Sequence, residues 1–206
     1  TVDNQSYTST NVKPAKYGVG IRITREMLED AKWNLLQRNI EIAGRRFAEN
    51  ETKLVLQQLD TAANTVTGGA AVTIANVTTA MLNLEDNDFE PTTFLVGAEV
   101  LQDLRNIDTF TEADKLGSTE MLNTGFVGTL YGMNVIRFST NAAPSTTYSK
   151  YAYVYDKDQA YCIVEKRPIT IEKFDLPNND MSAAVVTQRI AVKALRTSSI
   201  SNITST

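Results

Sequence analysis

The chain has 206 residues, a formal net charge of −4, no histidine and one cysteine. These counts exclude a Ser-His-Asp triad, a Cys-His dyad, an internal disulfide, and zinc or iron–sulfur sites built from histidine or several cysteines. The acidic balance disfavours a dedicated nucleic-acid binder, which usually carries a basic surface. Hydrophobic residues make up 42% of the chain, enough to build one domain or two small ones.

Three patterns open the chain. Residues 1–10 offer little to bury and predict a projecting arm or loop. Residues 19–23 alternate apolar side chains with glycine and arginine, which predicts a strand. Residues 24–30 (TREMLED) then predict a short helix with Thr24 as its N-cap.

A long helix is predicted over residues 34–63. Its apolar positions recur at helical spacing and predict a single buried face: Leu36, Ile40, Ala43, Phe47 and Leu54. Its charged positions are spaced to pair along the surface: Arg38–Glu41, Arg45–Glu49 and Glu49–Lys53. About 30 residues make a rod of about 45 Å, longer than a compact domain of this size is wide. The helix must therefore run along or between subdomains, or pack against other chains.

The middle of the chain is strongly acidic. Residues 65–147 carry three basic and ten acidic side chains, a net charge of −7, which indicates either a separate subdomain or an ordinary solvated face. The local patterns predict, in order, a loop over 64–71, a helix over 74–86, a strand over 92–97, a helix over 98–107, a loop over 109–124, a strand over 135–138 and a loop over 141–150.

The last third has the alternation of strands. Tyr151, Tyr153 and Tyr155 form a period-two row that favours a sheet face over a platform for stacking bases. A turn is predicted at 156–159, followed by strands that Pro168 interrupts, because proline cannot donate a ladder hydrogen bond. A second turn over 174–181 leads into a long strand over 183–195.

No set of residues indicates catalysis, a cofactor or a metal. Cys162 lies in a predicted strand and is interpreted as a core thiol. The acidic run 85–90 lacks the spacing of a calcium loop and is interpreted as a solvated turn. Glu99 and Asp103 are the carboxylates that a small α/β enzyme would use, and this remains the less favoured alternative.

Three stretches resemble a known family. The run KYGVGIRITREMLEDAKWNLLQRNIEIAGRRFAENETKLVLQQLD, residues 16–60, resembles the extended-loop return strand and spine helix of tailed-virus major capsid proteins with the Hong-Kong-97-like fold. The run over 152–196 resembles that family's closing segment, in which an axial strand leads into a peripheral hairpin. TTFLVGAEVLQDLRNID and the later LYGMNVIRFS resemble the axial core. The resemblance implies an α+β fold with an extended loop, a long spine helix, an axial domain and a peripheral β-hairpin.

The resemblance also implies a division of the chain. The expected parts are an extended-loop remnant at 1–22, a peripheral domain with the spine helix at 23–65, an axial domain at 66–166, the peripheral hairpin at 167–192 and a return to the axial domain at 193–206. The family's N-terminal arm and outgoing loop strand have no counterpart here, so a partial chain is expected.

The implied function is shell building without enzymatic activity or cofactors. Copies of the chain would form hexamers and pentamers of an icosahedral virion shell around double-stranded DNA, assembled in the host cytoplasm. Portal, scaffold and cement or decoration proteins are possible partners, and no membrane is involved. The nearest alternative is an encapsulin-type cellular compartment, which has the same fold and holds enzyme cargo.

The resemblance suggests two sets of site residues. Basic residues of the spine helix could face packaged DNA, although pairing within the helix explains them equally well: Arg38, Arg45, Arg46 and Lys53. Some family members form Lys–Asn cross-links between the loop tip and the hairpin, for which the candidates are Lys13, Lys16, Asn178 and Asn179. The family's loop-tip lysine falls near Ser9, so cross-linking is not expected in this chain.

Overall fold

The computed structural model describes residues 11–30, 34–69, 71–107, 128–139 and 150–205. The strands are β1 (Ala15–Thr24), β2 (Asn64–Thr67), β3 (Thr93–Val96), β4 (Thr129–Leu130), β5 (Met133–Arg137), β6 (Lys150–Tyr155), β7 (Tyr161–Leu176), β8 (Met181–Ala194) and β9 (Ile200–Ser205). The α-helices are α1 (Arg25–Asp30), α2 (Leu35–Leu59), α3 (Ile74–Glu85) and α4 (Ala98–Arg105). The predicted arm and the predicted loop 109–124 lie outside the described residues, as does nearly all of the loop 141–150.

The chain divides into two compact units. We call the first the hairpin unit (Thr1–Gly44 and Ile163–Lys193) and the second the six-stranded unit (Arg45–Cys162 and Ala194–Thr206). The hairpin unit contains an antiparallel sheet in the order β1-β8-β7. Strand β1 pairs with β8 from Ala15 opposite Ile190 to Thr24 opposite Met181. The turn between β7 and β8 is a short 3-10 helix, Pro177–Asn179.

Pro168 does not interrupt a strand, so that prediction was wrong. Strand β7 continues through it from Tyr161 to Leu176. Because β7 is an edge strand of its sheet, one side of its backbone has no ladder partner among the described strands. A proline at such a position costs no ladder hydrogen bond when its nitrogen faces away from the neighbouring strand.

The six-stranded unit has a mixed sheet in the order β2-β9-β6-β3-β5-β4. Successive residues of a strand point to opposite faces, so one strand serves two cores. On β6, Ala152 and Val154 join a cluster with the apolar sides of α3 and α4. Tyr151, Tyr153 and Tyr155 join a second cluster with the C-terminal end of α2. The sheet is therefore covered by helices on both faces.

The prediction of a loop over residues 64–71 was wrong at its start. Residues 64–67 form β2, which pairs in parallel with β9 over Ser201–Thr204. The β-branched residues of NTVT suit a strand, and the partner is distant in sequence. Strand β9 lies in the last segment, where the sequence pattern gave no strand prediction.

Helix α2 is shorter than predicted, and its apolar face is not continuous. Ala43 and Phe47 are buried as expected, but Leu54 is only half buried, while Leu56 and Leu59 are completely buried. Phe47 and Leu56 are nine residues apart, about two and a half turns, and therefore lie on opposite sides of the helix. The single-face prediction was wrong at this end because Leu56 and Leu59 pack into the tyrosine cluster of the sheet.

The predicted N-cap of the short helix is confirmed. The Met27 amide donates to the Thr24 hydroxyl oxygen, with 3.4 Å between nitrogen and oxygen. A threonine caps α3 in the same way, since the Asn76 amide donates to the Thr73 hydroxyl over 3.4 Å. These bonds satisfy amide groups that the first helical turn leaves without partners.

Candidate assembly surfaces

The tyrosine row of β6 belongs to the core, which agrees with the predicted sheet face and not with a platform for stacking bases. Tyr151, Tyr153 and Tyr155 are all buried, and Tyr153 packs obliquely on Phe138 with 6.5 Å between ring centroids. Burial raises the pKa of Tyr153 and Tyr155 well above the usual value, and the nearby carboxylate of Asp60 adds to the effect at Tyr153. These rings are neutral packing groups and leave no open face on which a base could stack.

A partly buried ion pair uses one of the two candidate carboxylates. Lys150 Nζ lies 2.6 Å from Asp103 Oδ2, and the same oxygen accepts a hydrogen bond from the Val72 amide over 2.9 Å. Asp103 thereby joins α4 to β6 and to the segment that leads into α3. Glu99, the other carboxylate, is exposed on the first turn of α4. Asp103 therefore has a packing role and Glu99 lies on the surface, so the two carboxylates do not share a pocket.

The other polar features lie on the surface or at a strand end. The acidic residues of 85–90 are exposed, and Cys162 is a free, partly buried thiol in β7. Within the described residues, no group of three His, Cys, Asp or Glu side chains is placed to hold a metal ion. Among the described helices, none is both long and apolar enough to cross a membrane.

The four basic candidates of α2 share one side of the helix. Each of them is exposed: Arg38, Arg45, Arg46 and Lys53. At 3.6 residues per turn they fall within an arc of about 100°, which also contains Glu49. None of the three predicted pairs on this helix is among the ion pairs found in the described residues. The structure therefore leaves each of these four side chains exposed to solvent.

The cross-link candidates are not brought together within one chain. Asn178 and Asn179 are exposed in the turn between β7 and β8. Lys16 lies eight residues along β1 from Thr24, the end that pairs beside that turn, which is a distance of about 26 Å along the strand. Lys13 precedes β1 and is also exposed. Any bond between these lysines and asparagines would have to join different copies.

The turn itself is tied to the start of α1. Arg25 Nε lies 3.3 Å from Asp180 Oδ1, and the Arg25 amide donates to the Asp180 carbonyl oxygen over 3.0 Å. Asp180 adopts the left-handed conformation, with φ of 48°, which aspartate tolerates better than most residues. These contacts fix the position of the turn within the hairpin unit.

An apolar margin lies along β7. The hydroxyls of Thr170 and Thr187 are 3.1 Å apart, so these two residues share one face of the sheet. Ile169 and Ile171 therefore point to the opposite face, where Val186 of β8 is buried. Both isoleucines remain half exposed, at 45% and 48%. We call this pair the isoleucine margin. The alternation in the sequence predicted the strand but gave no sign that its apolar residues would stay uncovered.

In the described residues, the polar clusters serve packing, and the isoleucine margin is left half exposed to solvent. A family model described as phage capsid protein matches residues 7–199, and the chain belongs to that family. No curated protein matches the chain. The predicted family and the predicted α+β Hong-Kong-97-like fold are confirmed, and the protein is a structural major capsid protein.

Solved structures show the same fold at low sequence identity. A chain of Mycobacterium phage Che8 has a TM-score of 0.82 and 16% identity, with 98% of this chain and 76% of that chain covered. The mature capsid of bacteriophage PhiM1 has a TM-score of 0.73 and 12% identity, with 100% of this chain and 76% of that chain covered. The holo-SrpI encapsulin complex from Synechococcus elongatus has a TM-score of 0.67 and 9% identity, with 93% of this chain and 73% of that chain covered.

Proposed function

We propose that copies of this chain form hexamers and pentamers that close into an icosahedral shell around double-stranded DNA. The observation that carries this proposal is the match of the fold, over nearly the whole chain, to proteins that include a mature phage capsid. The shell is the capsid of the virion and is assembled in the host cytoplasm. The chain has no catalytic role in this account, and portal, scaffold and cement or decoration proteins are its further partners.

The isoleucine margin supports self-assembly through the hairpin unit. Contact with another molecule at exposed apolar residues lowers the free energy, because the contact removes hydrocarbon surface from water. A contact between this margin and a different surface of another copy is heterologous, and such contacts generate closed rings when the rotation between copies closes. Hexamers and pentamers are rings of this kind.

The proposed parts of the chain follow the division that the resemblance implies. Residues 66–166 and 193–206 supply the axial domain, and the six-stranded unit supports this assignment for 66–162 and 194–206, although that unit also contains residues 45–65 of the proposed peripheral domain. Residues 23–65 and 167–192 supply the peripheral domain, with α2 as the spine helix and β7 and β8 as the hairpin. Residues 1–22 contribute to the extended loop.

The basic side of α2 faces the packaged DNA in this proposal. Four exposed positive charges along one side can neutralise phosphates without reading sequence. Replacement of Arg38, Arg45, Arg46 and Lys53 by glutamine should leave shell formation intact and lower the DNA retained per particle. A control variant removes the same charge elsewhere, at Arg105, Arg137, Lys157 and Lys193. Equal DNA retention in both variants would contradict this assignment.

Covalent cross-linking is not part of the proposed assembly. Denaturing electrophoresis of assembled particles should give the mass of the single chain. A ladder of higher masses that disappears in an Asn178→Ala, Asn179→Ala variant would contradict this point.

Size-exclusion chromatography with negative-stain imaging tests shell formation directly. The proposal expects closed particles of the full chain, and a persistent monomer under all assembly conditions would contradict it. The encapsulin similarity makes a cargo compartment the second candidate. Particle contents decide between the two, because a virion protects DNA from nuclease and a compartment holds a cargo enzyme.

A further inference from the structure

The hairpin between β4 and β5 has an unusual turn. Leu130 pairs with Met133, so Tyr131 and Gly132 alone form the turn. Their φ angles are 50° and 83°, both positive. Positive φ at both central residues is the type I′ geometry, whose twist matches that of the flanking strands and which strongly favours Asn-Gly.

Tyr131 is the residue that does not suit this geometry. The other non-glycine residues with positive φ in the described part of the chain are Asp88 and Asp180. Aspartate tolerates the left-handed region because its short polar side chain can bond to the local backbone. A tyrosine has no such compensation, and its Cβ crowds the following carbonyl. The backbone at Tyr131 is therefore strained, whereas glycine at position 132 is the residue that the turn requires.

The interior of the protein does not account for this tyrosine. The residues that anchor the hairpin are its neighbours, since Leu130 and Met133 are buried in the core of the six-stranded unit. The Tyr131 side chain is 55% exposed. A strained residue that presents an aromatic ring to solvent costs stability and recovers little of it from the described residues. Strain of this kind is concentrated at functional positions.

We propose that Tyr131 is a subunit contact, and that its ring packs against a second copy of this chain in the assembled shell. A second copy is the occupant because the protein builds its structure from repeated copies of itself. Strand β4 is also the edge of the six-stranded sheet, so the turn lies at a margin of that sheet. Tyrosine supplies a large, rigid contact area at low entropic cost and is enriched where truncation weakens binding. The inference rests on the proposed shell-building function.

Tyr131→Asn separates the contact from the fold, because the two effects have opposite signs. Asparagine tolerates positive φ and gives the preferred Asn-Gly turn, so the thermal midpoint of the full chain should rise by about 2–4 °C. Assembly should weaken, and half-maximal particle formation should need about tenfold more protein. Light scattering measures assembly, and circular dichroism measures the midpoint.

Two further variants control this test. Tyr131→Phe keeps the ring and the strained backbone, so it should assemble at the wild-type concentration. Asp88→Asn places asparagine at another exposed turn with positive φ, and it should change neither assembly nor the midpoint by as much as Tyr131→Asn does.

The results distinguish a failure of the Tyr131 contact from a failure of the proposed shell-building function. Wild-type particles together with unchanged assembly of Tyr131→Asn would overturn the inference alone. A lower thermal midpoint in Tyr131→Asn would also overturn it, because the ring would then be needed by the fold. A wild-type chain that never forms particles would overturn the proposed function and the inference with it.

Discussion

The two sheets of this protein differ in how completely they are covered. The six-stranded sheet is packed with helices on both faces, and its central strands β3, β6 and β9 are buried along nearly their whole length. The three-stranded sheet leaves the isoleucine margin open at its β7 edge. One region completes its core with helices on both faces, and the other leaves apolar side chains half exposed in the part of the chain that the structure describes.

The ion pairs follow the same division. Lys150 and Asp103 in the six-stranded unit have side chains that are 15% and 14% exposed. Arg25 and Asp180 in the hairpin unit are 51% and 66% exposed. Buried pairs are costly to break, whereas exposed pairs contribute little to stability. Removal of one partner should therefore cost more in the six-stranded unit than in the hairpin unit.

The largest expected effect is a cavity in the six-stranded unit. Phe94 of β3 is completely buried, and Phe94→Ala should lower the free energy of unfolding by about 3–5 kcal/mol. Ile169→Ala removes an apolar side chain that is already half in water, so it should cost about 1 kcal/mol or less. Urea unfolding followed by circular dichroism measures both. Equal losses would contradict the division between the two sheets.

The next largest loss of stability is expected at the ion pairs. Lys150→Met leaves the partly buried Asp103 carboxylate without its cation and should cost about 2 kcal/mol. Arg25→Met removes the same charge from an exposed pair and should cost less than about 1 kcal/mol. Thermal unfolding of the two variants provides the comparison. A loss for Arg25→Met as large as that for Lys150→Met would show that exposure does not rank these pairs.

Alkaline pH should destabilise the six-stranded unit. Tyr153 and Tyr155 have folded-state pKa values raised above the ordinary value of 10.0, so the unfolded chain loses these protons first as pH rises. Stability should be unaffected by them below pH 10 and should fall above it by roughly 1 kcal/mol per pH unit for each tyrosine. Unfolding of a Tyr153→Phe, Tyr155→Phe variant should show a shallower fall.

The smallest effect on stability is expected at the isoleucine margin. Ile169→Thr and Ile171→Thr keep β-branched side chains at half-exposed positions, so together they should change the free energy of unfolding by less than about 1 kcal/mol. Assembly measured by light scattering should nevertheless be strongly reduced. Leu195→Thr, at a more exposed apolar site, is the matched control. Normal assembly of the double variant would remove the margin from the contact surface.

The sequence predicts local features well where one residue or one period decides them. The cap at Thr24 and the buried row of tyrosines follow from hydroxyl chemistry and from strict alternation. The failures have a common cause. Strand β2 depends on the distant strand β9, and Pro168 is tolerated because β7 is an edge strand, which local sequence does not show.

The candidate surfaces show the same limit. The basic residues of α2 and the asparagines of the turn could be identified from helical spacing and from the family resemblance. The exposure of Ile169 and Ile171 could not, because an alternating strand looks the same whether its apolar face is covered or not. The strain at Tyr131 likewise required the backbone angles, since Tyr-Gly in sequence indicates a turn without giving its type.

Cryo-electron microscopy of particles assembled from the full chain would show whether the isoleucine margin is a contact between subunits. We expect a closed shell of hexamers and pentamers in which a neighbouring subunit covers Ile169 and Ile171. A protein that stays monomeric under all assembly conditions, or a shell in which both isoleucines remain exposed to solvent, would contradict it.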